Sequence, residues 1–159
     1  MIRMFGRALI SRSATVFIDL VVIALMALSL YELLRDFVSR PGHGEAREII
    51  SGVSVIMIGW GVALEERGSV RDVLGVRGGS DDAWQDQIDH ACHGVGVMLL
   101  LFGLFAEIFE QMVTLPKSIV SADFIRDWLL AIGAFFLACG LVALVGHVIR
   151  LVMMRESRR

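Results

Sequence analysis

Four long apolar runs dominate the chain, at residues 16–34, 49–64, 91–113 and 128–154. A helix rises ~1.5 Å per residue, so ~20 apolar residues cover the ~30 Å hydrocarbon core of a bilayer. With 159 residues, 56% of them hydrophobic, and a mean hydropathy of +0.70, the chain carries more apolar surface than a water-soluble core of this size can bury. The expected fold is all-α, an integral membrane four-helix antiparallel bundle forming one transmembrane domain over residues 1–159. Short connections leave no room for a second globular domain.

The formal net charge of −2, from 15 basic against 17 acidic residues, hides an uneven distribution. Arg3, Arg7 and Arg12 precede the first run, Arg67, Arg71 and Arg77 lie between the second and third, and Arg150, Arg155, Arg158 and Arg159 end the chain. The other two connections hold fewer cations (Arg35, Arg40, Arg47, Lys117, Arg126), with acids beside them. Basic residues favour the cytoplasmic side, which predicts both termini and the 67–80 loop in the cytoplasm of a bacterial inner membrane. The basic tail suits orientation and lipid headgroups; a nucleic-acid partner would need a basic patch that this sequence lacks. Arg3, Arg7 and Arg12 before an apolar run also resemble a signal peptide. Asp19 interrupts that run, however, and no small-x-small site precedes Tyr31 and Glu32, so it reads as a retained span. Cys92 and Cys139 fall in different spans at different depths, an arrangement unsuited to a disulfide.

Punctuation sets the connections. Pro41, Gly42, His43 and Gly44 predict a tight turn, and Leu115, Pro116 and Lys117 stop the third helix. Val70, Val73, Leu74 and Val76 among charges make the 67–80 loop a short amphipathic segment on the cytoplasmic surface. Ser80 followed by Asp81 and Asp82 can cap the third helix, and Ser121 or Asp123 the fourth. Trp84 and Trp128 suit the headgroup level.

Small residues recur every seven positions: Gly52 and Gly59, then Gly96 and Gly103, then Gly133 and Gly140. A seven-residue period keeps one seam towards a partner, and glycine in such a seam lets lipid-embedded backbones approach closely. Continuing the count reaches Glu66, Asp89 and His147. Alternating helix direction should gather Asp19, Glu65, Glu66, Asp89, His90, His93 and His147 in one layer near the cytoplasmic interface.

Ionisable groups at membrane depth are expensive, and three uses fit this layer. Imidazoles and carboxylates from His90, His93, His147, Glu65 and Glu66 could hold a divalent transition metal, although the Glu-x-x-His repeat of di-iron bundles is missing. His93 and His147, from neighbouring helices, could be the axial ligands of one b-type haem. The third use is structural: a buried salt-bridge and hydrogen-bond layer, neutralised by Arg67, Arg71 and Arg150, that fixes helix order. Nearer the outer side stand the acids Glu32, Glu107 and Glu110. No span carries an ionisable side chain between the two layers, which argues against a proton relay through one monomer. Ser29, Ser51 and Ser54 are expected to bond their own helix backbones.

No motif selects a reaction. The pattern points to a small non-enzymatic membrane subunit or accessory protein of a larger complex, whose partners are the lipid bilayer and other membrane subunits or a second copy. A metal- or haem-binding redox protein built on His93, His147 and neighbouring carboxylates is the alternative. A lipid or quinone enzyme would need an acid or base in a lipid-accessible groove, for which Asp19, His93 and Glu107 are candidates.

Overall fold

The computed structural model describes residues 12–39, 43–73, 82–115 and 123–156, all helical apart from short turns. Five helices follow in order: α1 (Arg12–Ser39), α2 (His43–Glu65), α3 (Arg67–Val73), α4 (Asp82–Val113) and α5 (Asp123–Glu156). Four contain segments long and apolar enough to cross a membrane: Ser13–Phe37, Glu45–Glu65, Gln85–Val113 and Phe124–Met153. These are longer than the apolar runs alone, because polar residues at their first and last turns continue the helices. His43 and Gly44, expected in a turn, instead open α2; residues 40–42 lie outside the described residues, as do Ser80, Asp81, Pro116, Lys117 and Ser121.

Buried positions follow a 3–4 alternation. On α5 they are Leu130, Gly133, Leu137, Gly140, Leu144, His147 and Leu151, and on α1 Thr15, Asp19, Val22, Met26 and Leu33. This 3.5-residue average is the repeat that keeps a seam facing its partner in left-handed packing. The opposite faces are apolar too: Phe17, Leu28 and Leu34 on α1, Val55 on α2, and Phe135 and Val142 on α5 are all exposed. A water-soluble protein would place polar side chains there. The long helices thus carry apolar side chains on outward as well as inward faces, as suits a lipid surrounding.

α2 and α4 form the tightest pair, with α5 against α4 and α1 resting on α5 and α2. Close approach of α2 and α4 is set by two glycines. A Cβ on Gly61 would stand 2.8 Å from the Gly96 carbonyl oxygen, and one on Gly96 would stand 2.7 Å from the Glu65 backbone nitrogen. Only hydrogen fits at both places. Gly103 makes a third such crossing, where a Cβ would meet the Ser54 carbonyl oxygen at 2.9 Å.

This corrects the seam expected on the second helix. Gly52 and Gly59 have open space where a Cβ would be, so they form no crossing, and the seam runs through Ser54 and Gly61 instead. Gly133 and Gly140 do face neighbours, meeting Ile50 and Met57 side chains. Beside Gly133, Phe136 of α5 is surrounded by Phe102, Phe105 and Phe109 of α4 at centroid separations of 6.1, 5.2 and 5.8 Å. These are ordinary aromatic packing distances.

Candidate functional site

Among the described residues, three groups of polar side chains are held between helices by the packing seams. The first joins α3 to α4. Only Glu66 separates α2 from α3, and its N–H bonds the Val62 carbonyl at 3.0 Å while the Val70 N–H bonds the Glu66 carbonyl at 2.9 Å. The helical path therefore passes almost unbroken into α3, which turns Arg67 and Arg71 onto the start of α4. Arg67 pairs with Asp89 and reaches Gln85 at 3.4 Å; Arg71 pairs with Asp86 and, at 2.9 Å, with Asp89. Both arginines are buried. The 67–80 segment, read as an amphipathic stretch lying on the membrane surface, is thus pinned to α4 over residues 67–73 by ion pairs.

The second group ties the opposite end of the α2–α4 pair. Arg47 pairs with buried Glu110, and Glu107 accepts hydrogen bonds from Ser51 Oγ at 3.3 Å and Gln111 Nε2 at 3.0 Å. Ser51 was expected to bond its own helix; the nearby carboxylate takes it instead. Ser54 does bond its own backbone, at the Ile50 carbonyl, 2.7 Å away. Arg126 of α5 donates to the Val113 carbonyl at 3.3 Å, covering one of the acceptors left open where α4 ends. Glu32, the remaining outer-side acid, is exposed on α1.

The third group lies between the helices themselves. Asp19 of α1, fully buried, accepts a hydrogen bond on Oδ1 from the Trp60 indole of α2 at 2.8 Å. Its Oδ2 stands 3.7 Å from His147 Nε2 of α5. The same Nε2 is 3.7 Å from the buried thiol of Cys92 on α4. Four helices thus each contribute one polar side chain to a single junction. Residue type alone points to Asp19 and His147, whereas Trp60 and Cys92 join them through helix packing. A mid-span indole N–H that must find an acceptor was the available signal for Trp60.

Of the residues expected in one layer, the structure brings together Asp19 and His147, and separately Asp89 with the α3 arginines. His90, His93 and Glu66 are exposed and Glu65 half-buried, so they do not join the junction. His93 points outward while His147 points inward, and the two do not form an axial pair. The expected metal set of His90, His93, His147, Glu65 and Glu66 is divided in the same way. Among the described residues no group of three or more His, Cys, Asp or Glu side chains is arranged to hold a metal ion.

The junction also differs from a nucleophilic triad. There the base uses one ring nitrogen for the nucleophile and the other for the carboxylate. Here thiol and carboxylate meet the same nitrogen, and the thiol is wholly enclosed. A shallow apolar groove of about 300 Å³ lies elsewhere, along Glu107, Ile108, Gln111, Met112 and Leu115. Comparison with protein-family models, characterised proteins and solved structures finds no match to this chain.

Proposed function

We propose that this chain is a non-enzymatic subunit or accessory protein of a larger membrane complex. It would cross a bacterial inner membrane four times as an antiparallel bundle with both termini in the cytoplasm. The carrying observation is that its interior charges turn towards one another while its outward faces remain apolar. Arg67 and Arg71 engage Asp86 and Asp89, Arg47 engages Glu110, and Asp19 is held by Trp60. Such pairing specifies helix order and register and brings no reactive group to a substrate cleft. The arginine-rich 67–73 segment and the flanking basic residues support the orientation through the preference of cations for the cytoplasmic side.

The outward side chains of Phe17, Leu28, Met98, Ile108, Phe135 and Val142 offer lipid or another membrane protein only shape and van der Waals contact. A protein with this division acts by what it sits beside. Purification from native membranes in mild detergent, followed by mass measurement and crosslinking, tests the reading. A particle heavier than one 17.5 kDa chain, containing a second membrane protein or a second copy, is expected. A lone monomer under conditions that preserve other complexes overturns it.

A further inference from the structure

His147 Nε2 has two neighbours at the same distance, 3.7 Å: Asp19 Oδ2 and Cys92 Sγ. The separation is within reach of a thiol bond, because sulfur is large, and too long for N–H···O. Trp60 occupies Asp19 Oδ1, whereas Asp19 Oδ2 and His147 Nδ1 have no hydrogen-bond partner among the described residues. A neutral imidazole has one donor and one acceptor nitrogen; an imidazolium has two donors and no acceptor. With Nε2 unprotonated, it can accept only from the Cys92 S–H. With Nε2 protonated it cannot accept, and the free oxygen of the Asp19 carboxylate is the acceptor that remains.

We propose that His147 is a proton-operated toggle between α4 and α1. In the neutral ring, whose one proton sits on Nδ1, Nε2 accepts a hydrogen bond from the Cys92 thiol. When one proton enters from the adjoining aqueous phase, an N–H bond forms at Nε2 and the thiol hydrogen bond breaks. The new N–H donates to Asp19 Oδ2, and no electrons are transferred and no other covalent bond changes. Charge-assisted N–H···O bonds are about 2.7–2.9 Å long, so the protonated form draws Asp19 and His147 together by about 1 Å. α1 can follow, since it rests at the side of the tighter α2–α4 pair. The charged groups around the ring are Asp19 from α1, Arg67 from α3 and Arg150 from α5, with Asp89 of α4 acting on the Cys92 thiol and the Trp60 indole of α2 reaching the ring through Asp19.

Infrared spectroscopy of the Cys139→Ala protein in phosphatidylcholine vesicles tests the toggle, because the S–H stretch of Cys92 then stands alone in its spectral window. As pH is lowered stepwise from neutral into the acid range, the band is expected to shift from the hydrogen-bonded to the unbonded frequency. His147→Gln should abolish that shift. Asp19→Asn should move it to more acidic pH. A second readout needs no variant: in protein labelled with ¹⁵N-histidine, Nε2 of the buried ring should pass from acceptor to donor over the same interval. A thiol band that does not move in folded protein, or one that still moves with His147→Gln, overturns the proposal. So does a buried ring whose nitrogens keep their protonation throughout.

Discussion

At Gly61 and Gly96 two helix backbones touch, and the cost of a single methyl group there can be compared with its cost elsewhere on α2. Gly61→Ala forces a Cβ against the Gly96 carbonyl, backbone that cannot rotate away. Overpacking of that kind should lower stability by about 1–3 kcal/mol. Gly59→Ala places the same methyl in open space, so its effect should stay within about 1 kcal/mol and favour the helix. Thermal unfolding in detergent micelles, followed by circular dichroism, separates the two; equal losses would mean that α2 and α4 are not so closely apposed. Trp60→Phe belongs at this scale too. It leaves Asp19 Oδ1 buried without its donor and should cost about 1–3 kcal/mol, a penalty mostly cancelled when Asp19→Leu removes the acceptor as well. The seven-residue spacing was legible in the sequence, and so were the facing glycines of α4 and α5. The phase on α2 was not. Gly52 and Gly59 are two positions from Ser54 and Gly61, a rotation of ~200° that puts them on the other side of the helix. Counting identical residues finds a period, but a serine can occupy a seam as well as a glycine.

Between α3 and α4 the same ion-pair chemistry occurs at two levels of burial, which gives the element its own test. Asp89 is largely covered and takes both arginines, whereas the Asp86 side chain is 61% exposed. Breaking a buried pair strands a charge, so Asp89→Asn should destabilise by about 3–5 kcal/mol. Asp86→Asn removes a pair that water already weakens and should cost at most about 1 kcal/mol. In hydrogen exchange, Asp89→Asn should also raise the rate across residues 67–73, because Asp89 takes both arginines of α3. If the two variants behave alike, α3 is not fastened through Asp89. Arg67 and Arg71 were legible as neutralising cations of a layer that included Asp89, but which acids of that layer they would take was not. The Glu65–Glu66 pair stands nearer in sequence, yet the almost unbroken passage from α2 into α3 carries both arginines round to α4. His93 illustrates the complementary difficulty. One residue from Cys92, it is ~100° away around the helix, enough to exchange the junction for the exterior.

For the whole molecule, the arrangement of contacts fixes a relation between ends and sides. Along α2 and its continuation α3, against α4, the partners Arg47–Glu110, Ser54–Gly103, Gly61–Gly96 and Arg67–Asp89 ascend one side while descending the other. If every long helix crosses the bilayer and each reverses its predecessor, an even number of crossings returns the chain to the side where it began. Three exposed positions sample that path: Ser13 at the start of α1, Thr114 just after α4 and Val152 near the end of α5. In a background with Cys92 and Cys139 replaced, single cysteines there can be labelled with an impermeant maleimide on right-side-out vesicles. Thr114→Cys should react from outside, while Ser13→Cys and Val152→Cys should react only after the membrane is opened. Reversal of all three would leave the bundle intact and invert its orientation, making Arg67 and Arg71 extracytoplasmic clasps. Ser13→Cys and Val152→Cys on opposite sides would instead require one of the four apolar helices not to cross. α1 is then the helix to suspect, because its attachment passes through the Asp19 junction and the edges of α2 and α5, whereas α2, α4 and α5 share the central seams.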